Sequence, residues 1–250
     1  MPPPLDALAA VVRLDGDALA ADKRSSRQDA LYGLLRREQA IAALAQPARS
    51  EVSRILDFAQ AAYGDVIGVL VGREDRLLDS ARDGEWNLRD VSRHAIAVEL
   101  RYAAQVEYSA SRADTDPIQI PPELLPCDRL SPPESEFGPS RSGGVLQLLR
   151  LLGNARTSTD TRLARLPDAA LGRPSLWGKQ HIDVRMRLHQ IAVHLTETAI
   201  QMEKIVGSGG ELRAIIRRCC ITRGTHEHWS LATVRGTIDD SYRSLAGDLS

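Results

Sequence analysis

The segment from Ile182 to Ile205 constrains this chain more than any other. Val184, Leu188, Ile191, Leu195, Thr198, Met202 and Ile205 recur at alternating steps of four and three residues. That spacing places them in one seam along a helix, and a seam of this kind must be buried against other helices. The same segment carries His189-Gln190-Ile191-Ala192-Val193-His194-Leu195, which nearly repeats the earlier phrase His94-Ala95-Ile96-Ala97-Val98-Glu99-Leu100. Two helices that pack would bring histidines from both phrases toward one place.

Helical spacing also runs through Leu31, Leu34, Leu35, Ala40 and Leu44, and through Val52, Ile55, Leu56, Ala59, Ala62, Tyr63, Val66 and Leu70. Gly64 and Gly68 weaken the second helix locally but permit a close neighbour. Asp83-Gly84 reads as a turn, and Asn87 as the cap of a helix from Leu88 to about Ser111, with Asp90 at the third position. Residues 112–142 break the pattern: seven prolines lie between Pro117 and Pro139, and Gly143-Gly144 follows. Such a stretch is either disordered or a long loop across a bundle. Helical pattern resumes at Val145, and two shorter helices are expected at about 211–221 and 227–246. No segment reads as a convincing β-strand. The expectation is an all-α fold: an up-and-down type four-helix bundle with additional N- and C-terminal helices. Its parts are a loose arm at 1–26, the bundle at 27–206 and a helical extension at 207–250.

The balance of 32 Lys and Arg against 33 Asp and Glu argues against a nucleic-acid partner. Arg213, Arg217, Arg218 and Arg223 are expected on a solvated helix face. No run approaches the length of a membrane span. Three cysteines, two of them adjacent, make no disulfide framework, so a reduced cytoplasmic setting is expected, with Cys219 and Cys220 inert. Phosphate loops, HExxH and serine-nucleophile motifs are absent.

Ligand and metal sites in bundles lie between facing helices, so the candidates are His94 and His194. Each has two readings: a metal ligand, or a hydrogen-bonded histidine at the edge of the core. His189 lies roughly 140° round the helix from His194 and so borders a pocket rather than sharing one ion. Glu197 follows His194 by three residues and is a candidate ligand, base, or partner of Arg101 or Arg187. Tyr102 lies on the side of its helix that carries His94. His226 and His228, flanking Glu227, are expected on a surface cap.

Two segments together resemble the DinB/YfiT-like superfamily of bacterial four-helix bundles: Gly84-Glu85-Trp86-Asn87-Leu88-Arg89-Asp90-Val91-Ser92-Arg93-His94, and Arg187 to Thr198 followed by Gln201. The likeness covers roughly residues 48–206. Members often hold a divalent metal, commonly zinc or nickel, through three histidines, and some are transferases or isomerases that use low-molecular-weight thiols. The resemblance makes His94 the first ligand and His194 the second. The third position falls on Thr198, a departure, because a neutral hydroxyl is a poor zinc ligand. Either the metal site is lost or rearranged, or His94, His194 and a carboxylate act on substrate without metal.

The resemblance therefore implies a thiol-dependent transferase or isomerase with His194 as base, Glu197 holding it and His94 orienting substrate. Arg101, Tyr102, Arg187, His189 and Thr198 would border a small-molecule substrate. The alternatives are a non-catalytic helical binding or stress-associated protein, which could form a homodimer, and a metal-independent small-molecule biosynthetic enzyme.

Overall fold

The computed structural model describes residues 4–13, 21–44, 47–80 and 85–247, with the backbone alone for 21–26. The Asp83-Gly84 turn and Gly84 of the first motif lie outside the described residues. Among those described, the long helices are α1 (Leu5–Arg13), α2 (Ala21–Ala42), α3 (Glu51–Leu70), α4 (Leu88–Ser111), α6 (Val145–Leu163), α7 (Val184–Val206), α8 (Glu211–His226) and α9 (Ala232–Gly247), with the single turn α5 (Glu134–Phe137) between α4 and α6.

Local chemistry sets the helix ends. The Asn87 side chain accepts from the Asp90 N–H at 2.8 Å, which starts α4 at the expected residue. Asp183 does the same for α7 through the Met186 N–H at 2.7 Å. The first N–H groups of α3 are capped from a distance: the Asp168 carboxylate accepts from Glu51 and Val52 at 2.9 and 3.1 Å. Asp75 caps α6 in the same way through the Val145 N–H. These remote caps fix loops to helices and satisfy donors that have no partner within the helix.

Four helices make the bundle. α3 packs on α7, α7 on α4, α4 on α6, and α6 returns to α3. Chain neighbours α3 and α4 thus sit at opposite corners, and α4 and α7, which carry the two histidine phrases, are adjacent. The α7 seam is buried at Val184, Leu188, Ile191, Leu195, Thr198 and Met202, with Ile205 partly covered. Each fully buried Leu or Ile contributes about 1.5–3 kcal/mol. Inside the bundle, fully buried Arg156 of α6 bonds Glu99 of α4 at 2.5 Å and also pairs with Asp160.

α8 lies along α3, and α2 and α9 complete the second layer. Gly64, Gly68 and Gly224 allow the α3–α8 approach; a Cβ at Gly64 would overlap the Cys220 carbonyl. The extension therefore shares the main core with the bundle. At the other end, Leu8, Val11 and Val12 of α1 are buried and α1 packs on α9. The loose arm expected there is, over Leu5–Arg13, an apolar-faced helix.

Two further expectations are corrected. Arg223 is wholly buried and pairs with Glu38 and Asp239, and Arg213 is buried against the carbonyls of Val69 and Val71. Of that basic group only Arg218 is exposed, because α8 is sandwiched rather than peripheral. His226 is likewise buried, with Nε2 2.7 Å from Glu38. His228 stays at the surface as expected, where it bridges Asp57 at 2.9 Å and Asp160 at 3.0 Å and ties the α8–α9 connection to α3 and α6. Cys219 and Cys220 are buried free thiols, and burial pushes Cys219 up to about 12, consistent with inert burial.

Between α6 and α7 the chain makes an antiparallel hairpin, β1 (Pro174–Trp177) with β2 (Gln180–Asp183), in register Ser175 to Ile182 and Leu176 to His181. Four-residue strands with little apolar alternation give no strand signal. The proline-rich stretch is a strap of short turns across α4: Arg101 donates to the Cys127 carbonyl, Arg93 to Ser131 and Ser140, and Arg89 to the Gly143 carbonyl. Among the described residues no helix is long and apolar enough to cross a membrane.

Candidate functional site

α4 and α7 set His94 and His194 face to edge, with ring centroids 5.1 Å apart and planes at 64°. The row continues on both sides. Trp86 stands edge-on to His94 at 4.9 Å, Tyr102 lies 5.9 Å from His194, and the Arg187 guanidinium carbon sits 5.1 Å from the Tyr102 ring centre. Residues 94, 98, 101, 102 and 105 occupy one face of α4, as a 3.6-residue repeat requires.

The His94 Nδ1 atom lies 2.5 Å from the Arg129 carbonyl on the strap. A carbonyl only accepts, so Nδ1 carries the proton and the neutral ring keeps its lone pair on Nε2. Burial lowers the His94 pKa below its ordinary 6.5. His194 is lowered to about 4, by burial first and by the neighbouring His94 second. Both rings are therefore neutral at pH 7, one with a fixed tautomer.

Two cavities meet at this pair. The larger, about 640 Å³, is lined by Glu85, Trp86, His94, His194, Glu197, Thr198, Gln201 and Lys204. The smaller, about 220 Å³, lies toward the hairpin and the strap and is lined by His94, His194, Tyr102, Arg101, Arg129 and Arg187, among others. Sequence reasoning found most of these residues by helical spacing. Among those it missed as site residues are Arg129, Trp177 and Gln105. The first two sit on segments with no periodicity to read, and the only hint was that so long a loop usually has a role.

His189 stands elsewhere. It packs against Phe58, with ring centres 6.2 Å apart, in a separate apolar groove between α3 and α7 that Glu197 also borders. Glu197 makes no hydrogen bond to either site histidine, although it lines the larger cavity. The Thr198 hydroxyl donates to the His194 carbonyl at 2.8 Å. That bond leaves it committed to its own helix.

These contacts test the fit of a divalent metal. The His94 arrangement, with one ring nitrogen donating to a backbone carbonyl, is how metal-binding imidazoles are commonly oriented. Zinc sites, however, need at least three protein ligands. Among the described residues no group of three or more His, Cys, Asp or Glu is placed to hold an ion. The residues present do not fit the three-ligand centre.

Comparison with known proteins adds a likeness of fold. One solved structure to which the chain is similar is YfiT. This Bacillus subtilis protein is described as a probable metal-dependent hydrolase with an unusual four-helix bundle topology. The likeness covers 66% of this chain and 93% of that one, at 18% identity and a TM-score of 0.47. No family model matches the chain, and no curated protein matches it.

Proposed function

We propose that the groove between α4 and α7 is the active site of a small-molecule enzyme of the transferase or isomerase kind, in which His94 exchanges a proton with the substrate and His194 hydrogen-bonds it. The observation that carries this reading is the facing pair of neutral imidazoles, with His94 locked by the Arg129 carbonyl so that Nε2 is free to accept. A general base of this kind contributes roughly 10²–10⁴-fold to a rate. With a low-molecular-weight thiol as nucleophile, His94 takes the S–H proton as sulfur bonds to an electrophilic carbon. The imidazolium then returns that proton to the carbon or heteroatom that receives the displaced electron pair. His194, edge-on to His94, shields the pair from water and polarises the substrate by hydrogen bonding. Zinc or nickel would find two imidazoles here and no third described ligand, so proton transfer is assigned to the imidazoles themselves.

The test has two parts. Metal analysis of untagged protein should give zinc and nickel well below one atom per chain. Turnover of electrophilic acceptors, with and without added thiol, should fall by about 100-fold or more in His94→Ala and His194→Ala while both variants stay folded. Stoichiometric metal lost in both variants would replace this reading with a rearranged metal centre. Absence of turnover in the wild type would favour a binding protein.

A further inference from the structure

The smaller cavity has a charge imbalance that the proton-transfer reading does not use. Arg101, Arg129 and Arg187 all line it, and no aspartate or glutamate does. Arg187 is decisive, because it is only 1% exposed. Its guanidinium donates to the Gln190 side-chain oxygen at 2.8 Å and to the Leu176 carbonyl, and its Nε has no partner. Those acceptors are neutral. The Tyr102 face offsets some of the charge, but no carboxylate pairs with it among the described residues. Arg101 donates to the neutral Cys127 carbonyl. Asp128, next to that carbonyl, spends its hydrogen bonds on the backbone N–H groups of Leu130 and Ser131 at 2.7 and 2.8 Å and acts on Arg101 only through space.

A buried cation without a counter-charge is costly, and a cluster of them more so. The other arginines that are 1% exposed or less, Arg156 and Arg223, each hold carboxylates. Arg187 breaks this pattern, and half-buried Arg101 and exposed Arg129 add two further positive charges to the same cavity.

We infer that this cavity is an anion subsite, holding the carboxylate or phosphate head of a small molecule whose remainder reaches the histidine pair. A volume of about 220 Å³ suits a head group, and His94 and His194 border both this cavity and the one of about 640 Å³ that takes the rest. Guanidinium forks match the planar or tetrahedral oxygens of such heads. Only the placement of the remainder rests on the proton-transfer reading.

The experiment is calorimetric titration of the full chain with malonate and, separately, inorganic phosphate, each against sodium chloride at equal ionic strength. Arg129→Gln, on the exposed strap, retains the fold, and Arg187→Lys keeps the buried charge while removing the fork. One or both anions should bind the wild type in a single site, and each variant should weaken that binding by about tenfold or more. The anion that binds more tightly identifies the head group. Failure of both anions to bind, or affinity unchanged in Arg129→Gln, overturns the subsite. Binding that persists in His94→Ala and His194→Ala, with turnover lost, supports both readings. If binding is sensitive to the arginines but turnover ignores the histidines, the subsite stands and proton transfer falls.

Discussion

His228 allows a stability prediction with a sign and a size. Its two nitrogens face Asp57 and Asp160, and these hydrogen bonds and charges outweigh burial and raise its pKa from 6.5 to about 9. The folded protein therefore holds this proton more tightly than the unfolded chain. The resulting stabilisation is complete below about pH 6.5 and is lost as pH rises through about 9. At 1.36 kcal/mol per pH unit, a change from 6.5 to about 9 corresponds to about 3 kcal/mol at most. With the side chain about one quarter exposed, screening reduces this to roughly 2 kcal/mol. Urea unfolding of wild type and His228→Gln between pH 6 and 10 isolates the effect, because other titrating groups cancel in the difference. The wild type should exceed the variant by about 2 kcal/mol more at pH 6 than at pH 10. A difference that does not change with pH would refute the charged bridge.

Gly64→Ala should destabilise by about 2 kcal/mol in chemical unfolding, since overlap with the Cys220 backbone outweighs the helix-propensity gain of about 1 kcal/mol. A stabilised variant would mean that α3 and α8 are not in close contact. Asn87→Ala should cost about 1 kcal/mol by removing the α4 cap, read as a lower denaturation midpoint. An unchanged midpoint would show that the cap bond does not form in solution.

The bundle was legible where sequence period and burial coincide. The α7 seam, the Asn87 start of α4 and the resumption at Val145 all follow from spacing and capping chemistry, and so does the closeness allowed by Gly64 and Gly68. The order of helices around the bundle was not legible, since a seam shows that a face is buried without showing against what. α1 was not anticipated, although Leu5, Leu8 and Val12 have helical spacing. The burial of His226 and Arg223 depends on Glu38, more than 180 residues away in the chain, and no local pattern encodes that. At the site, His94 and His194 were found by their helices. Arg129 was invisible, because its carbonyl and side chain are placed by a strap without periodicity.

The central claim is that His94 and His194 form one neutral, facing pair. Nitrogen-detected NMR of the imidazole rings through a pH titration tests it most directly, with His94→Ala and His194→Ala supplying the assignments. The expected result is His94 as the Nδ1–H tautomer, a His194 midpoint near 4, and a rise in that midpoint when His94 is replaced by alanine. Two rings that titrate independently, each near 6.5, would contradict it.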